Sequence, residues 1–326
     1  MNRPFFENSS TWVKLALLVA ISTAALVLVP LLIMGIFQWC FDFSGADLNA
    51  VNEIIEELTK ISMNSGLSPD EAAKYGFDLL PQYLPNYQHM VYAKWFLILS
   101  NQLSLLTAGS IFLWIVYKKP LSIIASRPAN LKMYALSAVL LLLVMPLVGL
   151  IGEWNRNIYI PWQSLQNWLL APEIQSGIYT LSFTDIHSLG ELTLMVLFIG
   201  VVTAIAEELV FRAGLQNILL QSKMNTHLAI FVGATLFSLI HFQFYGFFVR
   251  LLLGLVLGYL YYWSKDIRSS MLAHALNNSL AIVVAYKTGS MTDEIPDQNN
   301  LVLLISTALA AVVVWQITTI GKAEKN

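Results

Sequence analysis

Charge is scarce in this chain of 326 residues, where Asp, Glu, Lys and Arg together make up 12% and hydrophobic residues 57%. A soluble domain carries about twice that charge, so water is excluded as the solvent for most of the surface. Cysteine is nearly absent. The single Cys40 rules out an internal disulfide framework and any cysteine-based zinc cluster, and it is expected to pack rather than to react. Basic patches interleaved with aromatics are lacking as well, so nucleic acid is not an expected partner. No internal repeat, no low-complexity tract and no inverted symmetry of broken spans appears.

Long apolar runs are what the chain has instead. About 20 apolar residues cross a bilayer, which predicts eight spans at roughly 12–39, 90–117, 132–152, 188–212, 227–242, 246–263, 269–287 and 299–319. The first run, Val13 to Trp39, is too long for a signal-peptide core and lacks a small-x-small cleavage site before a polar mature sequence, so it is a retained span. The expected fold is all-α, a polytopic transmembrane helix bundle. Three regions follow: 1–186 with three spans and a polar helical insert at 40–89, 187–290 as the region with the polar motifs, and 291–326 as the last span and tail.

The loops sort by sign. Segment 118–132 carries Lys118, Lys119, Arg127 and Lys132, segment 264–268 carries Lys265 and Arg268, and the tail carries Lys322 and Lys325. Segment 40–89 is acidic, with Asp42, Asp47, Glu53, Glu56, Glu57, Asp70, Glu71 and Asp78 against Lys60 and Lys74. Eight spans put every basic loop on one face, which the positive-inside rule assigns to the cytoplasm together with both termini.

Within the insert, Leu48, Val51, Ile54, Ile55, Leu58 and Ile61 recur at helical spacing and predict one amphipathic helix. Ser68-Pro69-Asp70-Glu71 predicts the capped start of a second, with proline at the first helical position. These two short helices are expected as a lid packed on the bundle. Loop 153–187, with Trp154, Trp162 and Trp168, is expected at the headgroup level that indoles favour.

Against this apolar background three stretches are out of place: Ala206-Glu207-Glu208-Leu209-Val210-Phe211-Arg212, Phe237-Ser238-Leu239-Ile240-His241 and His274-Ala275-Leu276-Asn277-Asn278. A charge at mid-membrane costs about 2.5–3.5 kcal/mol on insertion scales, so such residues mark a site. Glu208 and Arg212 stand at i and i+4, acid first, the favourable order for an ion pair that fixes the helix. Glu207 lies about 100° round the same helix without a partner in its own segment, the position suited to a general base. His241 ends its span, where an imidazole can share a water with Glu207. His274 and Asn278 project from one face of their helix, and two neutral donors on one face suit an oxyanion hole. Taken singly, each group has a plainer use: an ion-pair staple for Glu208 and Arg212, an interhelical hydrogen bond for a histidine or asparagine. Gly254-x-x-x-Gly258 is expected to serve close helix packing.

At these residues the sequence resembles the family of CAAX proteases and bacteriocin-processing enzymes, whose motifs are Glu-Glu-x-x-x-Arg, Phe-x-x-x-His and His-x-x-x-Asn. The resemblance covers about 100 residues, under a third of the chain. It implies peptide-bond hydrolysis inside the membrane, with Glu207 and His241 activating a water, His274 and Asn278 stabilising the tetrahedral intermediate, and Glu208 and Arg212 in support. No cofactor is required on this reading. Zinc is the alternative, held by Glu207, His241 and His274, although no His-Glu-x-x-His is present. The expected partners are a peptide or membrane-protein substrate and the lipid bilayer. In a bacterial cytoplasmic membrane, the expected setting, peptide maturation or bacteriocin self-immunity is the implied task. A proton-coupled transporter using the same carboxylates and a non-catalytic scaffold are the competing functions.

Depth adds one expectation. Leu215, Ile218 and Leu219 oppose Gln216, Asn217, Gln221 and Ser222, which predicts a short interfacial helix after Gly214. The fourth span then ends near Arg212, Glu207 lies about 8 Å deep, and the cavity opens toward the basic, cytoplasmic face. His241 fits that depth only if its helix dips part-way.

Overall fold

A computed structural model describes residues 6–84, 87–118, 130–288 and 300–323, and every long regular element among them is helical. The expected basic residues Lys119, Arg127 and Lys325, and the expected boundary at 290/291, lie outside the described residues. Helix α1 (Thr11–Phe41) leads into the insert helices α2 (Gly45–Met63) and α3 (Pro69–Tyr83), and α4 (Tyr87–Val116) returns. Then come α5 (Leu131–Arg156), α6 (Gln163–Thr184) and one continuous helix, α7, from Leu189 to Gln221. The chain finishes with α8 (Thr226–Leu239), α9 (Phe247–Ser264), α10 (Ile267–Thr288) and α11 (Asn300–Ala323).

By length and composition six helices can cross a membrane: α1, α4, α5, α7, α9 and α11. The expected count of eight is reduced by that measure because α8 has only 14 residues and α10 is diluted by its own polar groups. At 1.5 Å per residue α8 is about 21 Å long, short of the ~30 Å hydrocarbon core.

The helices define two ends. At one, Lys14 Nζ donates to Gln221 Oε1 at 2.9 Å, and Tyr134 Oη donates to Asp266 Oδ2 at 2.5 Å. Lys118, Lys265 and Arg268 belong to this end. At the other, Arg156 at the end of α5 pairs with Asp70 of α3 at 3.0 Å, and Lys94 near the start of α4 pairs with Glu191 near the start of α7 at 2.7 Å. This is the insert end.

Each insert helix begins with a capping box. Ser44 donates its N–H and hydroxyl to Asp47 while Asp47 N–H donates back at 3.3 Å, and Ser68 donates both groups to Glu71. These serines hold the Asp47 and Glu71 carboxyls below the usual carboxylate range. The apolar faces then pack inward: Val51, Ile55, Leu58 and Leu80 are fully buried against Phe43 and against Ile174 and Ile178 of α6. Each such side chain contributes about 1.5–3 kcal/mol. Loop 153–187 is therefore not a loop. Most of it is α6, a helix that holds the insert on the bundle, while Trp154, Trp162 and Trp168 stay exposed as anticipated. Cys40, expected to pack, is exposed beside the end of α1.

Candidate active site

The helix that carries both glutamates is wound unevenly. In α7 two π segments, Val196–Val202 and Leu209–Gln216, flank a short α stretch, Thr203–Glu208. The N–H of Thr203 donates to Phe198 O, five residues back, and the Thr203 hydroxyl donates to the same carbonyl at 3.0 Å. Such turns recur at functional sites because each re-aims the side chains that follow it. Here they bracket Glu207 and Glu208.

Four charged or titratable groups converge where α7 meets α10. Glu207 is 7% exposed, Glu208 0%, Arg212 2% and His274 5%. Arg212 Nη1 stands 2.8 Å from Glu208 Oε1, and Arg212 Nη2 donates to Gly254 O at 3.2 Å. His274 lies between the two carboxylates, with Nδ1 3.0 Å from Glu208 Oε1 and Nε2 3.5 Å from Glu207 Oε2. The expected ion pair of Glu208 and Arg212 is therefore present. The imidazole in direct reach of Glu207 is His274, a contact the sequence reading did not include, while His241 lines the same cavity. Spacing along one helix could not show that partner, because it lies on a different helix.

His241 occupies the turn after α8, and the short α8 is what brings it to the site, as a helix dipping part-way requires. Its Nδ1 is 2.8 Å from Phe237 O. A carbonyl only accepts, so Nδ1 donates and Nε2 of the neutral ring keeps its lone pair. The Phe237 ring packs edge-on against both histidines, at 5.2 Å from His241 and 5.9 Å from His274, and the Arg212 guanidinium lies 4.9 Å above it. The four-residue step in Phe-x-x-x-His thus has a physical use: one residue supplies a carbonyl for one imidazole and a wall for the other. After His241 the backbone turns through a left-handed residue, Phe242, at φ 52°.

Glu207, His241, His274 and Asn278 all line one cavity of about 350 Å³, with Arg250 and Asn277. Asn278 donates to Ile199 O at 3.3 Å, tying α10 to the first π segment. Glu208 and Arg212 stand behind the wall. The other glycine motif packs as expected: a Cβ on Gly254 would lie 3.0 Å from the Ala234 Cβ, and one on Gly258 2.8 Å from Ile230 Cγ2. That approach also exposes the Gly254 and Gly258 carbonyls to Arg212 and Gln216.

One depth expectation is corrected. No interfacial helix starts at Gly214, since α7 continues to Gln221 and Glu207 stands 14 residues before that end, roughly 21 Å along the axis. The polar face read as solvent-facing is bonded inside the bundle: Gln216 donates to Gly258 O at 2.9 Å, Asn217 to Tyr117 Oη at 3.3 Å, and Gln221 accepts from Lys14. The cavity lies in the middle of the bundle, from Leu257 and His274 past Glu207 to His241 and Arg250, and the turn after His241 is bonded to α5 and α6 through Asn155–Phe244 and Gln243–Ser176.

Arg250 escaped the sequence reading. It sits four residues into an apolar helix, where it passes for a span-edge charge, yet its Nη2 donates to Gln243 and its Nη1 is buried without a partner. The signal was the same energetic oddity that singled out Glu207.

The residues considered for zinc do not form a ligand set as arranged. Among the described residues no group of three His, Cys, Asp or Glu side chains has metal-binding geometry. Both ring nitrogens of His274 face carboxylates, and Nδ1 of His241 is held by a backbone carbonyl.

Residues 189–280 match the family model Rce1-like, described as Type II CAAX prenyl endopeptidase Rce1-like. The matched segment holds all three motifs and leaves out the insert and α1 to α6. No curated protein matches the chain, and no solved structure does. The family match supports a protease in a multi-pass helical membrane protein.

Proposed function

We propose that the chain is an intramembrane endopeptidase in which Glu207 and His241 activate a water for attack on a peptide carbonyl. One observation carries this reading: four residues from three sequence motifs, on separate segments, line a single buried cavity. In the ionised form the Glu207 carboxylate accepts a proton from the water, and the free lone pair of His241 Nε2 is a second acceptor for it. Asn278 offers an N–H to the oxygen of the tetrahedral intermediate, and His274, whose Nδ1–H is given to Glu208, donates from Nε2 once its ring takes up a proton during the reaction. Glu208 and Arg212 fix His274: Glu208 accepts from Nδ1, and Arg212 balances the second carboxylate so that Glu207 is left for chemistry. Breakdown returns the proton to the leaving amine. No step passes through a metal, and activity that survives chelation is the expected outcome; activity lost to a chelator and restored by zinc would overturn this part.

Peptides from the membranes of cells carrying the native chain and the Glu207→Gln variant should differ, with intact substrates accumulating only in the variant. Identical peptide profiles would refute the protease. Charge assigns the basic end and both termini to the cytoplasm and the insert to the other side. Cys40, exposed at the insert end, tests this without mutation, since a membrane-impermeant thiol reagent should label it in intact cells. Labelling only after the membrane is opened would reverse the orientation.

A further inference from the structure

A second, larger cavity of about 710 Å³ adjoins the active-site cavity, and the two share His241 and Ile199 as walls. Its volume lies within the roughly 300–1,000 Å³ of ligand sites. Part of its wall is polar: Asn52 of α2, Gln102 of α4, and Gln175, Tyr179 and Thr180 of α6 line it beside apolar side chains. Apart from Ile199, His241 and Phe242, the lining comes from the insert and from helices outside the family match. Tyr179 donates to Asn52, which fixes α6 against α2 across the chamber. Gln102 is 7% exposed, and its Oε1 is buried without a hydrogen-bond partner. A buried acceptor left empty is unfavourable, and a donor that arrives with a ligand recovers that energy.

Resting on the protease reading, we propose that this chamber is a substrate subsite that takes a polar, extended segment of the peptide, which then passes His241 to reach Glu207. An extended backbone supplies N–H donors to Gln102 Oε1, and the side-chain amides and hydroxyls of the wall can serve its carbonyls. His241 then borders both the bound segment and the scissile bond. The acidic insert acquires a role in recognition, and α6 acquires one as the chamber's floor.

The test uses the full chain with Cys40→Ser and Thr180→Cys, purified and reconstituted in phosphatidylcholine vesicles. Its substrates are the peptides extracted from membranes of Glu207→Gln cells. A bulky methanethiosulfonate reagent is attached after folding, so misfolding does not enter. Attachment should raise KM about tenfold with kcat within about twofold, and a reducing agent should reverse it. Gln102→Leu, of similar shape, should raise KM in the same direction. Failure of the reagent to attach, or attachment that leaves KM unchanged, overturns the chamber assignment while cleavage by the unmodified chain keeps the protease. Attachment that lowers kcat at constant KM also overturns it, because the chamber then only hydrates the site. An extract in which the unmodified chain cleaves nothing overturns the protease reading, and the subsite with it.

Discussion

The insert and the motif region are both rich in polar groups, yet they partner them over different distances. In α2 and α3 the partners are neighbours: Ser44 with Asp47, Ser68 with Glu71, Glu56 with Lys60, Lys74 with Asp78. In α7 the local Glu208–Arg212 pair is joined by remote partners: Glu208 meets His274 66 residues away, while Arg212 and Gln216 each bond carbonyls 42 residues away. The insert is anchored by an apolar face and leaves its charges to water, where local pairs suffice. Inside the bundle a buried charge is costly, so the local Glu208–Arg212 pair is completed by His274 and the Gly254 carbonyl from other helices. Polar chemistry is thus optional in the insert and obligatory at the site.

Arg212→Leu should break the comparison most sharply. It leaves Glu208 buried without its counter-charge, which destabilises by about 3–5 kcal/mol, read as a lowered thermal midpoint in detergent. Glu208→Leu combined with Arg212→Leu should recover much of that loss. A single variant as stable as the native chain would show that the pair is no more binding than those of the insert. Next in size is Gly109→Ala. A Cβ there would lie 2.7 Å from the Leu209 Cβ and 3.3 Å from its carbonyl carbon, atoms that no rotamer change can move. Overpacking of this kind costs about 1–3 kcal/mol, and it should also lower cleavage by displacing the π segment that follows Glu208. Normal stability with normal cleavage would contradict the close α4–α7 contact.

The smallest effect belongs to the insert. Ser44→Ala removes one cap and should cost about 1 kcal/mol, seen as faster amide exchange confined to α2. The capping carboxylates, lowered in the folded state, add stability above their ordinary values of 3.8 and 4.5 and lose it as pH falls below them. Exchange in α2 and α3 should therefore quicken in acid while α7 stays protected. Loss of protection in α7 first would invert the comparison.

What the sequence made legible follows the same division. The capping box at Ser68, the amphipathic run from Leu48 to Ile61 and the Glu208–Arg212 pair are signals within four residues, and all three are present. The three motifs marked the right residues for one cavity because charge in an apolar run is conspicuous. Partners across helices were not legible, so the His274 contact of Glu207 went unseen, and Gln216 and Asn217 were placed on the outer face of an interfacial helix. The π turns leave no compositional trace, so α7 was ended too early. Helix α6 was missed because Pro172 and scattered polar residues blur its periodicity.

The central claim is that Glu207, and not merely the fold around it, hydrolyses peptide bonds. Purified native and Glu207→Gln chains, reconstituted in parallel, can be given the accumulated membrane peptides in water enriched in heavy oxygen. The account predicts new carboxyl termini bearing one solvent oxygen with the native chain. The Glu207→Gln variant, melting at the same temperature, should make them at least about a hundredfold more slowly. Equal cleavage by both chains, or by neither, would contradict it.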